Sequence, residues 1–221
     1  MKVNDVENQA YDRDEKKFLY ILTNGQKTYS YFKCFFDVLF AAIALFFLTP
    51  IFLILFVIIE LTSRGPAIFS QKRIGQYGKA IHVYKFRTMT SKAPKNKATN
   101  DFENSHEYIT KIGRFLRVTS LDELPQLINI IKGDMSIIGP RPLIPDEVLV
   151  HQLRQANDVY LVKPGLTGLA QVNGRDFLDV EEKVKFDTEY LHNMSFKLDF
   201  KIFIKSIGVV FKRQGLKDNI K

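Results

Sequence analysis

The sequence predicts an α/β membrane protein, in which an N-terminal apolar helix is attached to a small mixed α/β domain with short strands and amphipathic helices. Three observations carry this prediction. The run from Val38 to Ile59 holds no charge, and Thr49 is its only plainly polar residue. Everything after Glu60 is mixed and charged, and long enough to build a core of its own. Within that remainder, short β-like segments alternate with stretches of helical period. A second apolar run of similar length is lacking in these 221 residues, which argues against a multi-pass transporter.

Residues 1–30 are polar and charged, with a turn signal at Asn24-Gly25, and read as an N-terminal arm with little core. The apolar run follows. As a helix it would reach about 33 Å, enough for a hydrocarbon core of about 30 Å. Thr49-Pro50 stands at its midpoint, and an interior proline costs about 3 kcal/mol and kinks a helix. Basic residues flank both ends: Lys27 and Lys33 before, then Arg64, Lys72 and Arg73 after. The positive-inside bias therefore gives no orientation. A re-entrant helix broken at Pro50, a bitopic span and a buried core helix all remain open on these residues alone. The run starts too late and extends too far for a signal peptide, so it belongs to the mature chain.

After a turn ending at Gly65-Pro66, Ala67–Gln71 and Ile81–Phe86 read as strands joined across Gly75–Gly78. The polar stretch Ser91–Ser105 is an exposed loop, and Ile109–Val118 is helical or turn-rich. Ser120-Leu-Asp-Glu123 has capping-box spacing before the apolar face of Leu124, Leu127, Ile128 and Ile131. Further helices are expected from Pro145-Asp146 to about Asn157 and over Glu182–His192. The last helix, about residues 198–212, sets Phe200, Phe203, Ile204, Ile207 and Phe211 beside Lys197, Lys201, Lys205 and Lys212. That pairing suits an interfacial membrane helix, with packing of the aromatic face on the domain core as the alternative.

The net charge of +8 favours anionic partners: acidic lipid, nucleic acid or a phosphorylated substrate. Cys34, the one cysteine, excludes an intramolecular disulfide framework, and His82, His106, His151 and His192 lack zinc spacing. There is no P-loop, Rossmann glycine pattern, heptad or internal repeat. What chemistry the chain offers centres on the adjacent carboxylates Asp122 and Glu123. They could merely decorate a helix start, where the dipole favours negative charge. The surrounding cations point further: Lys85 and Arg87 after a strand, Arg114 and Arg117 before the pair, and Arg141 between Pro140 and Pro142. An arginine held by two prolines offers a planar fork to phosphate oxygens. Together these suggest a polyphosphate pocket, with hard carboxylate oxygens suited to Mg²⁺.

Four stretches resemble one family in the same order. They are Lys85-Phe-Arg-Thr-Met89, Arg117-Val-Thr-Ser-Leu-Asp-Glu-Leu-Pro-Gln126, Gly133-Asp-Met-Ser-Ile-Ile-Gly-Pro-Arg-Pro142 and Lys163-Pro-Gly-Leu-Thr-Gly-Leu-Ala-Gln-Val-Asn-Gly-Arg175. The chain resembles bacterial sugar transferases, the monotopic polyprenyl-phosphate phosphoglycosyl transferases, from about Tyr31 to Gln214. The resemblance implies an α/β monotopic membrane protein of the compact form. Residues 1–30 would be the arm, 31–61 a re-entrant helix broken at Thr49-Pro50, and 62–221 a cytoplasmic catalytic domain at the bacterial inner membrane. Family members often carry Ser before that proline, and Thr49 keeps the hydroxyl.

By the same resemblance Asp122 is the nucleophile and a Mg²⁺ ligand, and Glu123 its assisting base or positioning partner. Arg117 and Arg141 bind phosphate, Lys85 and Arg87 shape and charge the pocket, and Arg175 contacts the nucleotide. The implied substrates are a UDP-sugar and polyprenyl phosphate, and the implied further partners are membrane lipid, a second copy in a homodimer and downstream glycosyltransferases. Two other classes compete: a basic nucleic-acid or membrane-surface module and a catalytically silent scaffold. The first lacks any zinc, RNA-recognition or arginine-repeat signature, so no nucleic acid is expected. The second is disfavoured because both carboxylates and the basic motifs are in place.

Overall fold

The computed structural model describes residues 20–93, 105–174 and 177–212. Its first long element, α1 (Asn24–Thr62), begins inside the stretch expected to be a polar arm. The start is set by a capping box: the Gln26 amide donates to the Thr23 hydroxyl, and the Thr23 amide donates to Gln26 Oε1 at 3.0 Å. Leu22 is buried against Tyr190, Leu191 and Ile202, and Gln26 Nε2 donates to the His192 carbonyl at 2.8 Å. Residues just before and at the helix start are thus part of the domain's packing.

The expected interruption at Thr49-Pro50 is not a loss of helix, because α1 runs through Pro50. The Thr49 hydroxyl donates back to the Leu45 carbonyl at 2.7 Å, the bond that Ser and Thr offer within helices. Packing on both sides of the proline outweighs its local cost. Before it, Ala41, Ala44, Leu45 and Leu48 pack with Val83, Leu127, Ile130 and Met135. After it, Phe52, Leu55 and Ile59 pack with Phe86 and Leu116. The opposite side of α1 is apolar and open, with Phe46 75% and Phe47 72% exposed. The bland alternative of a buried core helix therefore fails for that side: a soluble helix would leave polar residues there.

Beyond α1, strands β1 (Ile68–Ile74) and β2 (Ala80–Phe86) form an antiparallel hairpin, with Ile68 opposite Phe86 and Ile74 opposite Ala80. Helix α2 (Lys111–Thr119) leads to the acidic pair, and α3 (Gln126–Ile131) follows it. Fully buried Asn129 stitches α3 to β2, accepting from the Tyr84 amide at 3.0 Å and donating to the His82 carbonyl at 2.7 Å. Strands β3 (Ser136–Ile138) and β4 (Gly165–Thr167) pair in parallel. Helices α4 (Val148–Ala156), α5 (Leu169–Val172), α6 (Val180–Asn193) and α7 (Phe196–Lys212) complete the domain.

Helix α7 packs through Leu198, Asp199 and Ile202. Phe196, Phe200, Phe203, Ile204 and Ile207 stay exposed, so the core-packing alternative does not hold for this aromatic face. Buried Asp199 accepts from the Tyr29 hydroxyl at 2.7 Å and from Lys33 Nζ at 2.6 Å. Lys33 also lies 3.5 Å from Asp37, whose carboxylate accepts from the Ser136 hydroxyl. This polar chain fastens α1 to α7 and to β3.

Candidate active site

The acidic pair is presented by a turn. Helix α2 ends at Ser120, whose backbone is left-handed (φ 56°, ψ 16°), and Leu121–Glu123 form one turn of 3₁₀ helix. The expected capping box does not form: Ser120 makes no side-chain cap bond. Its backbone ends the preceding helix instead, and Glu123 finds a stronger partner in Lys85, with Nζ 2.7 Å from Oε1. A non-glycine residue in this region costs about 1 kcal/mol. Ser120→Gly should therefore be near neutral for stability, while Ser120→Val should cost about 1–2 kcal/mol. Thermal unfolding of the two variants checks this; equal midpoints would dismiss strain at Ser120.

Lys85 comes from the end of β2 and is mostly buried. Burial pushes its ammonium below the usual lysine range; Glu123 and Asp122 oppose that shift and Arg141 reinforces it. Arg141 approaches Glu123 at 3.6 Å. In the sequence Arg73 is only a charge flanking the apolar run, yet in the fold it joins this group. Arg73 donates to the Pro142 carbonyl at 3.2 Å and to Gln71 Oε1 at 2.6 Å. Burial, then the neighbouring Arg141 charge, push its guanidinium down to about 10. No short motif marks Arg73; only the hairpin brings it to the Arg141 loop.

Arg117, in the last turn of α2, donates through Nε to the Thr88 hydroxyl at 2.9 Å. Arg87 follows directly on the end of β2. It is buried and clamps the end of α1, donating to the Ser63 carbonyl and hydroxyl, each at 2.7 Å. Gly65 makes room for it: at φ 111°, an added Cβ would lie 2.5 Å from Arg87 Nη1. Arg175 lies outside the described residues. His151 bonds the Tyr160 hydroxyl and the Ile144 carbonyl.

Among the described residues no three His, Cys, Asp or Glu gather into a cage for a metal. An adjacent carboxylate pair is still a fitting donor set for Mg²⁺, which takes one or two protein carboxylates and completes its shell with water and substrate phosphates.

Adjacent carboxylates beside Lys85 and Arg141, on an α/β domain packed against an exposed apolar helix long enough to cross a membrane, make up the candidate site and its setting. The chain belongs to the bacterial sugar transferase family, whose sequence model matches residues 28–213. It is similar to the uncharacterized sugar transferase EpsL of Bacillus subtilis (strain 168), 39% identical over 83% of this chain and 89% of that one. The exopolysaccharide production protein ExoY of Rhizobium meliloti (strain 1021) is 37% identical over 81% of this chain and 85% of ExoY. The undecaprenyl-phosphate galactose phosphotransferase of Salmonella typhimurium is 39% identical over 91% of this chain but only 45% of its own length. The chain thus spans most of some relatives and less than half of others.

Proposed function

We propose that the chain transfers a sugar-1-phosphate from a UDP-sugar to polyprenyl phosphate, undecaprenyl phosphate in bacteria, and releases UMP. The observation that carries this reading is the Asp122-Glu123 pair held among Lys85 and Arg141. The names of longer relatives, of which the chain spans less than half, point the same way: galactose and glucose-1-phosphate transferases acting on undecaprenyl phosphate. In this reading an Asp122 carboxylate oxygen attacks the phosphorus that bears the sugar. The bond from that phosphorus to the UMP oxygen breaks, and UMP leaves with the electron pair. A phosphate oxygen of the polyprenyl carrier then attacks the aspartyl phosphate, frees Asp122 and yields a polyprenyl-diphosphate sugar. The product would start an exopolysaccharide, capsule, O-antigen or other glycan.

A carboxylate approaching a diphosphate meets strong repulsion, so preorganised cations are the main requirement. Lys85, Arg141 and Arg117 supply that charge, and Arg73 adds to it behind Arg141. The 2.7 Å ion pair with Lys85 orients Glu123, which favours its part as the partner that fixes Asp122 in place. Mg²⁺ held by Asp122 would offset diphosphate charge when bound. Measuring UMP release across UDP-sugars, with polyprenyl phosphate and Mg²⁺, tests the reading; no release from any donor would overturn it.

The packing also supports a monotopic, re-entrant placement of α1 with the domain on the cytoplasmic face. Lys33 near its start is tied to Asp199, and Leu55 and Ile59 near its end pack with Phe86 and Leu116, so both halves of α1 lie on one domain. A bitopic helix would carry one of those sets of contacts across a hydrocarbon core of about 30 Å. Single cysteines replacing Thr28 and Arg64, in a Cys34→Ser background, should both be labelled only from the cytoplasm. Labelling from opposite faces would reject re-entry. The exposed aromatic face of α7 would then rest at headgroup depth, where a water-soluble nucleotide sugar can meet a lipid phosphate.

A further inference from the structure

The segment carrying Arg141 is held by a continuous series of bonds. Five consecutive carbonyls, Pro140 to Ile144, each accept a hydrogen bond from a different donor. Pro140 accepts from the Gly165 amide at 2.8 Å, Arg141 from Arg154 Nη1 at 2.8 Å and Pro142 from Arg73 Nη1 at 3.2 Å. Leu143 accepts from the Ile74 amide at 2.9 Å, and Ile144 pairs with His151 Nε2 at 2.7 Å. Pro140 and Pro142 restrict the backbone further. Most of these donors belong to nearby backbone or to side chains with packing duties. Arg154 differs: it is 3% exposed, and its Nη2 is committed to Asp187 at 2.5 Å, itself 1% exposed.

We propose that Arg154, oriented by its ion pair with Asp187, is a positioning residue that fixes Arg141 for phosphate binding. A buried ion pair is weak support for stability, since apolar residues of similar volume often replace one without loss. What apolar residues cannot replace is the second arm of the fork. The guanidinium joins α6, through Asp187, to the Arg141 carbonyl, while α4 carries it. One rigid planar group therefore sets the height of the Arg141 backbone against two helices. The Arg141 side chain, projecting from that backbone, reaches Glu123 at 3.6 Å. The inference rests on the proposed phosphate role of Arg141.

The test uses the full chain in lipid nanodiscs, with UMP release giving kcat and KM and thermal unfolding giving stability. Arg154→Met with Asp187→Leu should unfold within a few degrees of the parent, yet lose about tenfold or more in kcat/KM, as misplacement remote from chemistry does. Arg154→Lys keeps a cation beside Asp187 but cannot hold both partners in one plane, and should lose a similar factor. In an Arg141→Ala background neither change should cost anything further, because both act through Arg141. Folded variants with parental kcat/KM, or losses that multiply with that of Arg141→Ala, would overturn the positioning role. Should the apolar pair fail to fold, Arg154→Lys and its cycle with Arg141→Ala decide alone. Full activity of Arg141→Ala by itself would instead strike down the phosphate role of Arg141, a failure separable from that of Arg154.

Discussion

Asp122→Asn is expected to abolish UMP release and, with it, covalent retention of phosphate from a labelled UDP-sugar. The amide keeps the volume of the side chain and the Leu121–Glu123 turn, so the domain should fold as before. Missing from the variant is an anionic oxygen able to attack phosphorus and leave again. Removing a nucleophile of this kind costs about 10⁴-fold or more in turnover. Glu123→Gln should cost less, because the amide can still accept from Lys85, though the 2.7 Å contact loses its charge. A labelled protein adduct persisting in Asp122→Asn would sink the assigned nucleophile. Loss in Glu123→Gln as deep as in Asp122→Asn would shift chemistry onto Glu123.

The second large effect concerns stability. Asp199→Ala should destabilise the protein by about 3–5 kcal/mol, the usual cost of leaving one partner of a buried ion pair behind. Lys33 has only 10% of its side chain exposed and would keep Asp37, at the longer distance of 3.5 Å. Tyr29 would lose the acceptor of its hydroxyl as well. Since this chain of contacts joins α7 to α1, the variant should also loosen α7 from the domain. Hydrogen exchange along Phe196–Lys212 and the unfolding midpoint would show both consequences. Lys33→Met with Asp199→Leu should recover the stability only when Asp37→Asn is added, because buried Asp37 would otherwise lose Lys33 and stand as a lone charge. A midpoint unchanged in Asp199→Ala would mean that Asp37 and water hold Lys33 adequately.

Arg87 and Arg73 show where reading the chain stops being enough. Both are arginines next to a strand end, and composition treats them alike. Arg87 turns toward Ser63 because Gly65 leaves a space beside α1, and neither feature is visible in the stretch Lys85–Met89. Arg73 joins the Arg141 loop because the hairpin register carries it past Pro142. Ser120–Glu123 is a similar case. Its spacing matches a capping box, a local pattern, but the pairing of Glu123 with Lys85 spans 38 positions and outweighs the local option.

From the sequence by itself came the apolar run, the outward aromatic face of the last helix, the acidic pair and the motifs that define the family. All of these are local: hydrophobic period and short residue strings survive without knowledge of the fold. Tertiary structure alone decided that α1 continues through Pro50 and that its two halves pack on one domain. It also decided that Ser120 turns left-handed and that Arg154 and Asp187 stand behind Arg141. Each of those depends on contacts between segments far apart in the chain, whose relative register no local pattern encodes.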